Sequence, residues 1–133
     1  MDWGGLLCIW NPSYCDFVSY NSLAGILLDG RIKGYEENVK IINCYDPYKD
    51  REVFWGGIDE CGILKERNLI LSGDLNFTLS LSEVWGTHYV DPMSDYLSSL
   101  FQDASLIDIC LVLNGLMWRN GHVNGGVDAK RLY

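Results

Sequence analysis

The stretch Leu69-Ile-Leu-Ser-Gly-Asp-Leu-Asn76 runs apolar residues into a glycine and then sets an acid and an amide two places apart. In extended backbone, side chains two apart point to one side, so Asp74 and Asn76 share a face while Leu75 turns away into packing. A carboxylate so placed can orient and deprotonate a water, or draw a metal-bound water toward phosphorus. The amide can donate to a phosphoryl oxygen as charge develops on it. Gly73 would let the chain turn and a substrate approach closely. The same residues have an ordinary alternative, because Asp and Asn after a strand are common turn residues that bond their own backbone. Spacing alone leaves both readings open.

The elements that must position this pair can be read from pattern. Leu69–Ser72 is continuously apolar, as an interior strand is, and Gly73 favours a strand over a helical core segment. Val39–Tyr45, with Val39, Ile41 and Ile42 close together, reads as a largely buried strand. Asp46-Pro47 ends it, since proline offers no donor and restricts its predecessor. Between them Val53, Phe54, Ile58 and Cys61 recur at helical spacing, which predicts a helix from Asp50, as cap, to about Cys61. Gly56, Gly57 and Gly62 weaken it by up to ~1 kcal/mol each where they fall inside it.

Upstream, Leu6–Trp10 reads as a strand, and Asp29-Gly30 as a tight turn pairing Leu23–Leu28 with Arg31–Tyr35. Downstream, Asp91-Pro92 opens a second helix with Met93, Leu97, Leu100 and Phe101 on one side. Leu106–Leu113 is a further apolar run. Met117-Trp118 begins an edge strand after Asn114-Gly115, and Val127–Tyr133 gives another. Alternating sheet and helix predict an α/β domain with mixed strand directions.

Composition bounds what such a domain can do. The chain has 133 residues, enough for a single domain over 1–133 that buries roughly two-thirds of its unfolded surface. Its formal charge of −8 gives no diffuse attraction to a nucleic-acid backbone. The five cysteines have no paired spacing, which predicts reduced thiols in a cytoplasmic or nuclear setting, and His88 and His122 stand apart from any zinc-type arrangement. Met1-Asp-Trp-Gly-Gly5 has no basic stretch before an apolar one, so it reads as a poor signal peptide, and no apolar run reaches the ~20 residues that cross a bilayer.

Leu69–Asn76 also resembles the central "GDFN" motif of the endonuclease/exonuclease/phosphatase superfamily, and its surroundings are most similar to endonuclease-like domains of plant LINE-type retroelements. Gly4–Asn11 resembles the family's "GG…IWN" strand, Asn43-Cys-Tyr-Asp-Pro47 its "NVYAP" segment, and Phe54-Trp55 the aromatic pair of its first long helix. Leu106–Ile109 resembles "LxDL", Asn114–Asn120 the "G…TWxN" segment, and Lys130–Leu132 the start of "RLD". The resemblance implies a four-layer α/β sandwich and a phosphoesterase dependent on Mg2+ or Mn2+, with DNA as the partner in the retroelement branch. It implies that Asp74 activates water, Asn76 holds the phosphate, and Tyr45 bonds a phosphate oxygen or the nucleophile.

The same resemblance implies gaps. The family's upstream asparagine and metal-binding glutamate have no counterpart before Gly4, and its "SDH" histidine none up to Tyr133. Met117 replaces the threonine of "TWxN", and Tyr133 stands at the aspartate of "RLD". Phosphodiester hydrolysis depends on those groups acting together. The expectation is therefore a partial domain, a truncated and inactive relative of a metal-dependent DNA endonuclease. One alternative is an active phosphoesterase with substitute ligands from Glu83, His88, Asp91 and Asp95. The other is a fragment with a non-catalytic interaction or structural role.

Overall fold

The computed structural model describes residues 5–77, 84–85, 91–109, 118–119 and 129–130. The chain divides into two compact units, Met1–Leu75 and Asn76–Tyr133.

In the first unit β1 (Cys15–Ser22), β2 (Gly25–Ile32), β3 (Val39–Tyr45) and β4 (Leu69–Asp74) form one sheet in that order. The first three strands are antiparallel neighbours and β4 runs parallel to β3. A parallel neighbour requires a crossover, and α1 (Arg51–Glu60) with a 3-10 turn at Ile63–Lys65 supplies it. Ile42 and Cys44, on one side of β3, and Trp55 and Ile58, on one face of α1, are wholly or almost wholly buried. Phe54 meets the Trp55 ring edge-on at 5.4 Å. Losing a buried tryptophan side chain typically costs about 3–5 kcal/mol, so Trp55 is the largest single packing element of this unit.

The predicted helix and the strands Val39–Tyr45 and Leu69–Ser72 are all present, but three local expectations change. Asp29-Gly30 makes no turn: it lies inside β2, facing Val18 and Phe17 of β1. A side chain at Gly30 would strike the Asp16 carbonyl oxygen, so this glycine serves close strand approach. The hairpin instead turns at Leu23-Ala24, and β1 pairs along its whole length. Asp50 adopts a left-handed conformation (φ 56°) and makes no side-chain cap to α1. Among the described residues β4 is the last strand in the sheet order rather than an interior one, and its Ile70 is 42% exposed.

Leu6–Trp10 keeps the alternation of an extended segment, with Leu7 and Ile9 exposed, yet joins no strand ladder among the described residues. It is tied down by the Asn43 amide, which donates to the Leu7 carbonyl at 3.3 Å, and by Trp10, edge-on to Phe17 at 6.0 Å.

The second unit contains α2 (Ser94–Asp103), which buries Met93, Leu97 and Leu100, as its spacing predicted. The Phe101 and Phe77 rings lie 5.7 Å apart. Asp91 Oδ1 accepts the Met93 N–H at 2.9 Å, a bond two residues on that steadies the turn before the helix. Short strands β5 (Val84–Trp85), β6 (Trp118–Arg119) and β7 (Ala129–Lys130) form an antiparallel sheet in the order β5-β7-β6. Leu106–Ile109 follows α2 without regular structure. The remainder of that apolar run, Met117, and most of 127–133 lie outside the described residues.

The α/β class is therefore observed as a small mixed four-stranded sheet with helices, and the described residues do not establish the finer four-layer sandwich. Among the described residues no helix is long and apolar enough to cross a membrane, and Cys8, Cys15, Cys44 and Cys61 form no disulfide.

Two glycine substitutions test this architecture in opposite directions. Gly56 lies inside α1 with nothing within 4 Å of an added Cβ, so Gly56→Ala raises stability by about 0.5–1 kcal/mol in urea unfolding. A side chain at Gly30 meets β1 backbone, so Gly30→Ala lowers stability by about 2 kcal/mol or more. Equal effects at the two positions would contradict the assigned strand and helix.

Candidate functional site

The parallel pairing of β3 and β4 sets Tyr45 opposite Asp74 at the carboxyl ends of both strands. Because register partners share a sheet face, the preceding row, Asn43 opposite Ser72, lies on that side as well. Two of the three residues singled out by sequence thus meet in the fold, across twenty-nine positions of chain. Both are exposed, Tyr45 by 44%.

Asn76 is placed differently. Its backbone is left-handed, φ 51°, so the extended alternation that was to set it beside Asp74 does not hold, and it belongs to the second unit. Gly73 also has another role from the one expected. At φ 121° a Cβ there would collide with the Cys44 carbonyl oxygen and lie 2.7 Å from the Cys44 nitrogen. What approaches Gly73 closely is the backbone of β3. The glycine of the motif therefore serves strand pairing, where substrate access was expected.

A buried ion pair fixes the strand ends. Asp46 follows Tyr45 and is fully buried; its Oδ2 accepts from Arg51 Nε at 2.8 Å, and Arg51 is the first residue of α1. The Asp46 backbone N–H donates to the Asp74 carbonyl at 2.9 Å, extending the β3–β4 ladder by one bond. The Asp46-Pro47 turn thus ends the strand as predicted, and it also anchors α1.

The turn delivers a residue that sequence reasoning missed. Tyr48 lies near Tyr45 and Asp74, and its phenol is raised above the ordinary value. Lost hydration at the hydroxyl is the first cause; Tyr45, the Asp74 charge and a hydrogen bond with Tyr45 add to it. The ring itself remains exposed. The signal available in sequence was a second tyrosine three residues on, across a proline that folds the chain back. The site then comprises two phenol groups and one carboxylate. Such a set accepts hydrogen bonds and offers aromatic faces to a cation.

The metal-dependent reading is corrected here. Among the described residues no group of three or more His, Cys, Asp or Glu side chains is placed to hold a metal ion, which overturns the expected Mg2+ or Mn2+ dependence. Of the proposed substitutes, Glu83 and His88 lie outside the described residues, and Asp91 and Asp95 belong to no such group. No family model, curated protein or solved structure matches the chain. The assignment to a metal-dependent hydrolase family, whether as an active phosphoesterase or as a truncated relative of a DNA endonuclease, is therefore withdrawn, and the retroelement origin with it.

Cys44, opposite Gly73, reports on whether this strand end stays closed. Burial, with the Asp46 charge second, pushes its thiol from 9.0 to about 12. A thiol whose folded value is raised gives stability that is complete below pH 9 and is lost progressively between pH 9 and 12, as the unfolded chain ionises first. Between pH 7.5 and pH 10 the wild-type protein loses more stability than Cys44→Ala does, by on the order of 1 kcal/mol. Parallel pH curves for the two proteins in urea unfolding would contradict a closed strand end.

Proposed function

We propose that the chain is a binding module whose ligand seats at the carboxyl ends of β3 and β4 and presents a cationic group to Tyr45, Tyr48 and Asp74. The observation that carries this reading is the register that sets Tyr45 against Asp74 at the strand ends, with Tyr48 close enough for both to raise its phenol. In α/β sheets ligands favour the carboxyl ends of parallel strands, where the chain leaves the sheet and side chains converge.

Charge decides the class of ligand. A carboxylate and two phenol oxygens attract guanidinium or ammonium groups, and tyrosine faces add about 0.5–1 kcal/mol or more for a cation resting on them. The net charge of −8 also raises the local concentration of cations at low salt. It disfavours the DNA partner that the sequence resemblance implied.

The probe is L-arginine ethyl ester, which carries two cationic groups, titrated into 15N-labelled protein. Saturable shifts centre on the Tyr45, Tyr48 and Asp74 amides, and Asp74→Asn weakens binding about tenfold, the worth of one charge-assisted bond. Affinity unchanged by Asp74→Asn, or shifts centred elsewhere, would contradict the proposal.

A further inference from the structure

The far end of the same sheet carries a second arrangement, independent of the first. Where β1 begins and β2 ends, an open groove of about 690 Å³ is lined by Tyr14, Asp16, Arg31, Lys33, Tyr35 and Glu36, among others. That volume lies within the usual range of small-molecule sites. Its walls are hydrogen-bonded. The Tyr14 and Cys15 N–H groups both donate to the Asn11 carbonyl at 3.0 Å, and the Ser13 N–H donates to Asn11 Oδ1 at 2.9 Å. The Lys33 N–H donates to the Tyr14 carbonyl at 2.7 Å, closing the end of β2 against the start of β1. The Tyr35 N–H donates to the Ile32 carbonyl at 3.0 Å.

The charges in this groove are balanced, in contrast with the chain as a whole. Arg31 and Lys33 contribute two cations, Asp16 and Glu36 two carboxylates. Asp16 and Arg31 are register partners across β1 and β2. Arg31 Nη2 donates to the Glu36 carbonyl at 3.0 Å, which orients the guanidinium and leaves further N–H donors on it. Among the described residues the ion pairs at this end of the sheet are Lys40–Glu66 and Arg67–Glu37, and none of the four groove charges belongs to them. Tyr14 and Tyr35 are 61% and 47% exposed, so each presents ring surface.

We infer that this groove binds a small aromatic zwitterion of the amino-acid class. Its carboxylate meets Arg31 and Lys33, its ammonium meets Asp16 and Glu36, and its ring rests on Tyr14 and Tyr35. A net anion in the groove would face both carboxylates, and a net cation both basic groups. A ligand with both charges meets opposite charge in both kinds of group. Aromatic rings prefer offset or edge contacts with tyrosine, and Tyr14 and Tyr35 both line the groove with exposed ring surface.

The test titrates 15N-labelled protein with L-phenylalanine, 3-phenylpropionate and phenethylamine, the last two lacking the ammonium and the carboxylate respectively. L-Phenylalanine gives saturable shifts at the Tyr14, Arg31 and Tyr35 amides, and each single-charge analogue binds about tenfold more weakly. Arg31→Gln and Asp16→Asn each weaken L-phenylalanine binding about fivefold or more. Should Arg31→Gln fail to fold, Lys33→Gln takes its place. Equal or tighter binding of 3-phenylpropionate or phenethylamine, read at the Tyr14, Arg31 and Tyr35 amides, would overturn the inference. So would the absence of saturation by about 10 mM, far above the Kd range of a built site, or shifts centred on Tyr45 and Asp74.

Discussion

The buried pair of Asp46 and Arg51 is the constraint on which the first unit turns. Asp46 is fully buried and bonded through one carboxylate oxygen to the first residue of α1, while its backbone N–H holds the Asp74 carbonyl. One residue thus joins the end of β3, the start of the crossover helix and the end of β4. A buried ion pair is weak evidence of net stabilisation, because desolvation offsets much of its attraction, but removing one partner leaves an uncompensated charge and costs about 3–5 kcal/mol. The pair therefore acts mainly on geometry. It fixes where β3 stops and where α1 starts, and so which side chains meet at the strand ends.

The carboxyl ends of β3 and β4 illustrate what sequence can and cannot convey about a site. Tyr45 and Asp74 were identified through short motifs, and the parallel register brings them together. For Asn76 the period-2 argument assumes extended backbone, and this residue has φ 51°. The motif offers Gly73 as room for a substrate, whereas the space is taken by the Cys44 carbonyl of the neighbouring strand. Tyr48 was overlooked because its place depends on how the chain folds back after Pro47, which no periodicity records.

The fold divides along the same line. Helices and buried strands were legible because their patterns are local: α2 was predicted from the spacing of Met93, Leu97 and Leu100, all of which are buried. Strand β1 was not. Its residues Asp16, Ser19 and Asn21 are polar and Val18 and Tyr20 are exposed, so its alternation carries little hydrophobic contrast. The hairpin was misplaced because an Asp-Gly pair is a strong turn signal that here lies within β2, where close strand approach and not backbone reversal requires glycine. The expected metal chemistry likewise rested on motif order, and the described carboxylates do not gather as a ligand set.

The claim that one buried ion pair closes the strand ends is tested most directly by amide hydrogen exchange at Asp46. That N–H, bonded to the Asp74 carbonyl, should exchange as slowly as the interior amides of β3, and in Arg51→Met it should exchange at least about tenfold faster while the β1–β2 amides keep their protection. Fast exchange at Asp46 in the wild-type protein, or protection indifferent to Arg51→Met, would contradict it.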